Sequence, residues 1–234
     1  MLIVQRSNGD VYLCLNLIQE LYKYYNSPQI DILVNDDTFS LAKLLPFITN
    51  IHTFSYAKKR DGRWGQEIKI VKDIFRKYDL SINLTASDRS VLYAILASKK
   101  SISAIEKDNN KSWWKKLLLF KYYHFNKNQH IFLNNLKPLN LLNINYEYNL
   151  EPIKASSKAI NRVKKILINL GIKEFFVFHP SAQYNYKIYP KNLRDQLLSD
   201  LSNIGIPILV TGTNNKIDND IKENLPSFPN IVDF

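Results

Sequence analysis

Hydrophobic residues at the start of the chain form a short apolar run, residues 1–4, which stops before Arg6 and is followed by a polar turn at residues 7–10. Apolar residues then recur at helical spacing: Leu13, Leu17, Ile18 and Leu21. This pattern predicts a strand, a turn and an amphipathic helix, the first half of a βαβ unit, with Asp10 at the helix start. Its carboxylate is therefore expected at the carboxyl end of the first strand, where open α/β sheets bind ligands.

The same alternation of strand-like and helix-like segments continues through the first two thirds of the chain. It indicates an α/β fold with a mostly parallel sheet that is covered on both faces. The predicted strands after the first are residues 30–34, 51–56, 80–84 and 101–106, and the predicted helices after the first are residues 38–45, 68–78, 90–97 and 130–144.

Residues 111–123 mix tryptophan, tyrosine, leucine and lysine. One interpretation is a helix that packs on the sheet and turns its lysines to solvent. The other is a helix at a membrane surface, because such helices combine aromatic, aliphatic and basic residues. We take the packed helix as the prediction and keep the membrane surface as the alternative.

Residues 146–156 change in character and are expected to be a linker, after which a second βα series begins. Two domains are therefore predicted, residues 1–150 and 151–234, and a sheet of three strands makes the second domain small and incomplete. Its predicted strands are residues 175–178, 206–211 and 230–234, and its predicted helices are residues 159–170, 193–201 and 216–225.

The formal net charge of +11 favours an anionic partner, which could be nucleic acid, an anionic membrane or a phosphorylated or carboxylated substrate. The single cysteine, Cys14, excludes an internal disulfide and is expected to be buried filler. The four histidines have no metal-ligand spacing, so no metal site is expected. Without an apolar run of about 20 residues, the chain is expected to be a soluble cytoplasmic protein.

Three places could carry chemistry. Asp10 is either a helix N-cap or a general base. The polar loop from His179 to Pro190 is by default a surface loop, but its hydroxyl and N–H donors, with Lys187 as a point charge, suit phosphate oxygens. A basic run follows the predicted third strand, and it is either a solvent-exposed surface or a binding site for an anionic acceptor. The run consists of Lys58, Lys59, Arg60 and Arg63.

Four segments, in order and with suitable spacing, resemble glycosyltransferase family 9, the bacterial heptosyltransferases of the lipopolysaccharide inner core. R-S-N-G-D-V at residues 6–11 is similar to the family's R-x-x-x-G-D, and Y-D-L-S-I-N-L at residues 78–84 is similar to Y-D-L-x-I-x-L. H-P-S-A…K-I-Y-P at residues 179–190 resembles H-P-G-A…K-x-W-P. P-I-L-V-T-G at residues 207–212 resembles P-V-V-L-x-G.

The resemblance implies the GT-B architecture, two Rossmann-like domains that bind the acceptor on the N-terminal side and the nucleotide sugar on the C-terminal side. It implies inverting transfer of heptose from ADP-heptose to the lipopolysaccharide inner core, without a cofactor or metal. Asp10 matches the proposed catalytic base. Ser181, Ala182 and Lys187 match the donor-binding segment, and we assign the acceptor to the basic run. Contact with the inner face of the inner membrane fits this assignment, and nucleic acid does not.

Two departures from the family pattern bear on activity. Ser181-Ala182 stands where the family has Gly-Ala or Thr-Thr. The family's D-S-G-x-x-H segment, which helps to hold the diphosphate, has no counterpart in this sequence. We therefore expect a chain truncated at its C-terminus, and the alternative function is an inactive homologue that only binds anionic glycolipid.

Overall fold

The computed structural model describes residues 1–58, 63–107, 113–148, 152–182, 185–213 and 215–234. The chain divides into two compact units, Met1–Lys154 and Ala155–Phe234. The functional roles predicted for the two domains, acceptor binding and donor binding, stay predictions.

Unit 1 contains a parallel sheet whose strand order reverses in the middle. Its strands run in the order β3-β2-β1-β4-β5-β6, with parallel pairing throughout. This is the order of a dinucleotide-binding Rossmann sheet, and such sheets bind ligands at the carboxyl ends of the two strands where the order reverses, here β1 and β4. The strands are β1 Leu2–Val4, β2 Ile30–Asn35, β3 Ile48–Phe54, β4 Leu80–Asn83, β5 Lys100–Ile105 and β6 Lys121–His124.

Helices cover both faces of this sheet, because alternate strand residues point to opposite sides. Leu2 and Val4 pack in a core with α2 and α7, whereas Ile3 packs in a second core with α4 and α5. The helices are α1 Asn8–Tyr12, α2 Leu15–Tyr24, α3 Phe39–Ala42, α4 Arg63–Ile74, α5 Asp88–Ala97, α6 Trp113–Leu118 and α7 Ile131–Leu141.

Three predictions for unit 1 are wrong in detail. The polar turn expected at residues 7–10 lies mostly in the short helix α1, which begins at Asn8. The helix expected over residues 38–45 is only α3, preceded by a 3-10 turn at Asp36–Thr38. The helix expected over residues 111–123 ends at Leu118, and Lys121–His124 forms β6. Pairing of Ile102 with Lys121 and of Ala104 with Tyr123 adds this sixth strand to the sheet, so tertiary context overrides the helical pattern.

Unit 2 is a smaller α/β unit with a parallel sheet of order β7-β8-β9, which confirms the predicted fold class. Its strands are β7 Phe176–Phe178, β8 Ile208–Val210 and β9 Ile231–Asp233, and its helices are α8 Ser157–Asn169, α9 Lys191–Ser202 and α10 Lys216–Glu223. Across the described residues of both units, no helix is long and apolar enough to cross a membrane.

Candidate functional site

Asp10 lies in α1, the short helix that follows the carboxyl end of β1. Helix α1 begins at Asn8 and Ser7 occupies the N-cap position, so the interpretation of Asp10 as the N-cap is wrong. The Ser7 hydroxyl donates to Asp10 Oδ2 at 3.0 Å, and Arg6 Nη1 lies 3.8 Å from Asp10 Oδ1. The Asp10 side chain is 25% exposed. Its carboxylate is thus oriented by two neighbours and still reachable by a ligand.

The backbone that carries Asp10 is anchored in the core. The Cys14 thiol is fully buried and donates to the Asp10 carbonyl at 3.2 Å, and Asn135 Nδ2 of α7 donates to the Leu13 carbonyl at 3.2 Å. Burial raises the pKa of the Cys14 thiol, so the thiol stays protonated. These contacts fix the first turn of the chain against α7.

The loop after β4 is held by buried polar side chains beside the end of β1. Gln5 N–H donates to Thr85 Oγ1 at 3.0 Å, which ties the two strand ends together where the strand order reverses. Asn83 Nδ2 donates to Ser103 Oγ at 2.8 Å, while Asn83 Oδ1 accepts from Thr85 N–H at 3.0 Å. The loop is therefore connected to β1, β4 and β5 together.

Lys115 of α6 also holds this loop, although its side chain is only 2% exposed. Its Nζ donates to the Ala86 carbonyl at 3.0 Å and lies 2.6 Å from Asp88 Oδ1. A buried ammonium needs such partners, because desolvation is costly without them. Lys115 therefore fixes the position of the loop after β4 at this edge of the sheet.

A cavity of about 970 Å³ opens at this edge, wholly within unit 1. Four of its lining side chains are basic and one is acidic, so the cavity favours an anionic ligand. Its lining comes from the carboxyl ends of four strands and from α7: Arg6, Ala86, Glu106, Lys107, residues 124–128, which include Lys127, and Lys137.

Two of the cavity's cations are held in defined positions. The Arg6 guanidinium lies 4.6 Å from the centroid of the Phe125 ring, a cation–π geometry. Lys137 Nζ donates to the His124 carbonyl at 3.0 Å and to Asn134 Oδ1 at 3.1 Å. Burial lowers the pKa of Lys137. A negatively charged group on a ligand would stabilise the Lys137 ammonium and so offset the cost of its burial.

The structure describes only part of the basic run predicted to bind the acceptor. Lys58 is exposed, Lys59 and Arg60 lie outside the described residues, and Arg63 opens α4 with no description of its side chain. Their role stays a prediction. The cavity's own basic residues were missed, because Arg6, Lys107, Lys127 and Lys137 are far apart in sequence and form no run. The available signal was that most of them follow strand ends.

In unit 2, the loop after β7 contacts the loop after β8. His179 Nδ1 lies 3.1 Å from both the carbonyl and the hydroxyl oxygen of Thr211, and His179 Nε2 lies 3.4 Å from Ser181 Oγ. Ser181 and Ala182 are half-buried. Lys187 ends a 3-10 turn, Asn185–Lys187, and is exposed, with its Nζ 5.8 Å from the Tyr186 ring centroid. The predicted donor residues thus follow the carboxyl end of β7.

Asp218 of α10 joins these two loops and was missed from the sequence. Hydrogen bonds from the Ser181 hydroxyl and from the hydroxyl and N–H of Thr213 lower the pKa of Asp218 to about 2. Asn215, the N-cap residue of α10, accepts from Asp218 N–H at 2.8 Å and donates to Asp218 Oδ2 at 3.1 Å. The Asn215 side chain thus caps α10 and also contacts the Asp218 carboxylate, and an Asn three residues before an Asp at a helix start could have indicated this pair.

Within the part of the chain that the structure describes, no group of three or more His, Cys, Asp or Glu side chains is arranged to hold a metal ion. The expectation that the chain works without a metal or cofactor stays a prediction.

No family model matches the chain. A curated relative, lipopolysaccharide heptosyltransferase 3 of Escherichia coli K12, is 25% identical over 213 residues, which cover 88% of this chain and 60% of the relative. The chain therefore spans about 60% of the length of that relative.

Solved structures share the fold. Glycosyl transferase family 9 of Veillonella parvula matches with a TM-score of 0.78 at 14% identity, over 98% of this chain and 67% of that one. E. coli heptosyltransferase WaaC, solved with ADP-2-deoxy-2-fluoro heptose, matches with a TM-score of 0.72 at 14% identity, over 98% of this chain and 74% of that one. These matches confirm the resemblance that the four sequence segments indicated.

Proposed function

Because this chain resembles glycosyltransferase family 9 in its sequence motifs and its fold, we propose that it transfers heptose from ADP-heptose to an anionic lipopolysaccharide inner-core saccharide, with inversion. The relatives that support this proposal are heptosyltransferases, one of them solved with an ADP-heptose analogue. The reaction would take place on the cytoplasmic side of the inner membrane.

The observation that carries the proposal is the basic cavity beside Asp10. Its volume of about 970 Å³ lies at the upper end of the range for small-molecule sites, about 300–1,000 Å³, which suits a saccharide of more than one unit. Arg6 lines the cavity and also contacts Asp10, so an acceptor held by the basic side chains has a carboxylate next to it. Phosphate groups or sugar carboxylates on the acceptor supply the matching charge.

Asp10 acts as the general base in this proposal. As the acceptor hydroxyl oxygen attacks the anomeric carbon, Asp10 takes the hydroxyl proton and the bond from that carbon to the diphosphate oxygen breaks. One displacement through an oxocarbenium-like state inverts the anomeric centre. The hydrogen bond from Ser7 and the proximity of Arg6 orient the carboxylate for this step.

The donor would bind through unit 2. Lys187 and backbone N–H groups near Ala182 would stabilise the charge that develops on the departing diphosphate, which makes a metal ion unnecessary. The Ser181 hydroxyl would join them by turning from Asp218 to a diphosphate oxygen. Support comes from the position of the loop, since it follows the carboxyl end of β7 in a parallel sheet.

A transfer assay tests the proposal. The purified chain is mixed with ADP-heptose and a delipidated inner-core saccharide, and mass spectrometry detects addition of one heptose. We expect Asp10→Asn to lower turnover by about 10²–10⁴-fold. Asp37→Asn is the matched control, because Asp37 is an exposed carboxylate just after β2 on the same edge of the sheet. Equal turnover in the two variants would remove Asp10 from the mechanism.

A second candidate is a chain that binds the anionic glycolipid without transferring a sugar. The position of the cavity favours it, because the cavity lies wholly within unit 1 and needs nothing from unit 2 to bind an anion. Calorimetry separates the two. Transfer requires measurable binding of ADP as well as of the saccharide, whereas the second candidate binds the saccharide alone.

A further inference from the structure

Helix α6 lies between β5 and β6, the strands whose carboxyl ends supply Glu106, Lys107 and residues 124–128 to the cavity. One side of this helix is packed. Trp114 and the buried Leu119 contact Val91 and Ile95 of α5, and Lys115 reaches the loop after β4. The packed-helix interpretation of this segment therefore holds for one side of α6.

The other side of α6 carries large apolar side chains in solvent. Trp113 and Leu117 lie one turn apart on α6 and are 67% and 73% exposed, and Phe120, two residues beyond the end of the helix, is 54% exposed. Lys116, between them, is also exposed. A single exposed apolar residue is ordinary, but three large ones on a short helix and the segment just after it indicate a binding surface. We name these four residues the α6 surface.

We propose that the α6 surface docks on an anionic lipid bilayer. Tryptophan is enriched at membrane interfaces, and apolar side chains flanked by lysine are the composition of interfacial helices. The chain carries a net charge of +11, which attracts it to anionic headgroups. Two nearby acidic residues do not neutralise the charge of Lys116. Asp88 is paired with Lys115, and Glu106 lines the cavity.

Size argues against a protein partner or a second copy of this chain. A stable protein interface buries about 800 Å² on each partner, far more than these three apolar side chains provide. Insertion of a few side chains into a bilayer needs no such area. The docking itself is argued independently of the proposed function. Its consequence, that docking presents a lipid-linked acceptor to the cavity, rests on the proposed function.

Vesicle flotation tests the inference on the full chain. Vesicles of phosphatidylethanolamine and phosphatidylglycerol are compared with vesicles of phosphatidylcholine. Binding to the anionic vesicles only, weakened by salt, is expected. Leu117→Ser combined with Phe120→Ser should lower partitioning by about 100-fold, roughly tenfold or 1.4 kcal/mol for each side chain. Ile168→Ser is the matched control, because Ile168 of α8 is 75% exposed outside this surface, and it should partition as the original chain does.

Lys116→Glu provides a second variant, since an exposed charge can be reversed without disturbing the core, and it should lower partitioning by roughly tenfold. Equal flotation of the double variant and the Ile168 control would overturn the proposal, as would equal binding to neutral vesicles. So would a dimer of the original chain that the double variant dissociates, because the surface would then bind a second copy.

Calorimetry with a delipidated anionic core saccharide keeps this inference separate from the proposed function. The α6 variants should bind that soluble saccharide as the original chain does, because none of the four residues lines the cavity. Flotation through this surface without saccharide binding would contradict the proposed function alone. Saccharide binding without flotation would contradict the docking alone.

Discussion

Replacing Lys115 with Met keeps most of the length of a buried side chain and removes the ammonium that holds the loop after β4. In the structure this ammonium donates to the Ala86 carbonyl at 3.0 Å and lies 2.6 Å from Asp88 Oδ1. Hydrogen bonds to charged groups are worth about 1.5–3 kcal/mol. The ion pair adds only about 0–1 kcal/mol, because the Asp88 side chain is 73% exposed and regains water.

An opposing effect reduces the loss. The apolar Met side chain no longer requires an ammonium to be desolvated, which offsets part of the lost hydrogen bonding. We therefore expect Lys115→Met to lower the free energy of unfolding of unit 1 by about 1–3 kcal/mol. Urea unfolding followed by circular dichroism measures this difference, and the midpoint should fall without a change in slope.

Lys116→Met is the control, since it changes the neighbouring residue of the same helix at an exposed position. Its unfolding free energy should stay within about 0.5 kcal/mol of the original chain. Because Ala86 lines the cavity, Lys115→Met should also weaken binding of an anionic saccharide, and Lys116→Met should not. If the two variants unfold at the same urea concentration, the buried ammonium has no supporting role.

Two other substitutions test side-chain contacts, one in each unit. Asp218→Asn should lower the free energy of unfolding of unit 2 by about 1–2 kcal/mol near neutral pH, because hydrogen bonds favour the ionised carboxyl. Since the pKa of Asp218 in the folded protein is about 2, below the ordinary 3.8, that stabilisation is present above about pH 4 and disappears as the pH falls toward 2. If the plots of stability against pH for the two proteins stay parallel down to pH 2, this prediction is wrong. Arg89→Lys should lower the stability of unit 1 by about 1 kcal/mol in thermal unfolding, since the guanidinium lies 3.7 Å from the Phe54 ring centroid and donates to the Tyr56 hydroxyl at 2.8 Å; an unchanged melting temperature would show that this stacking contributes nothing.

The sequence predicts those parts of the fold that depend on local pattern. The strand at Leu2–Val4 and the helix at Leu15–Tyr24 could be predicted because apolar spacing within one segment determines them. Strand β6 could not, because Lys121–His124 is short and follows a helix directly. It becomes a strand only by pairing with β5, a contact that no local pattern contains.

The candidate site likewise contains residues that the sequence could indicate and residues that it could not. Asp10 could be singled out because it follows a strand directly, whereas the basic cavity could not. Arg6, Lys107, Lys127 and Lys137 meet only because the strand order places β1, β4, β5 and β6 side by side. Asp218 was missed for a related reason, since the Ser181 and Thr213 hydroxyls that contact it come from loops after two different strands.

Binding of an anionic inner-core saccharide to the cavity of unit 1 is the most direct test of the central claim. Isothermal titration calorimetry at several salt concentrations compares the original chain with a variant that combines Arg6→Gln and Lys137→Gln, and with Lys164→Gln, an exposed lysine of α8, as the control. We predict affinity that weakens with salt, a loss of about tenfold or more in the double variant, and no change in the control. Equal affinity in all three proteins would contradict it.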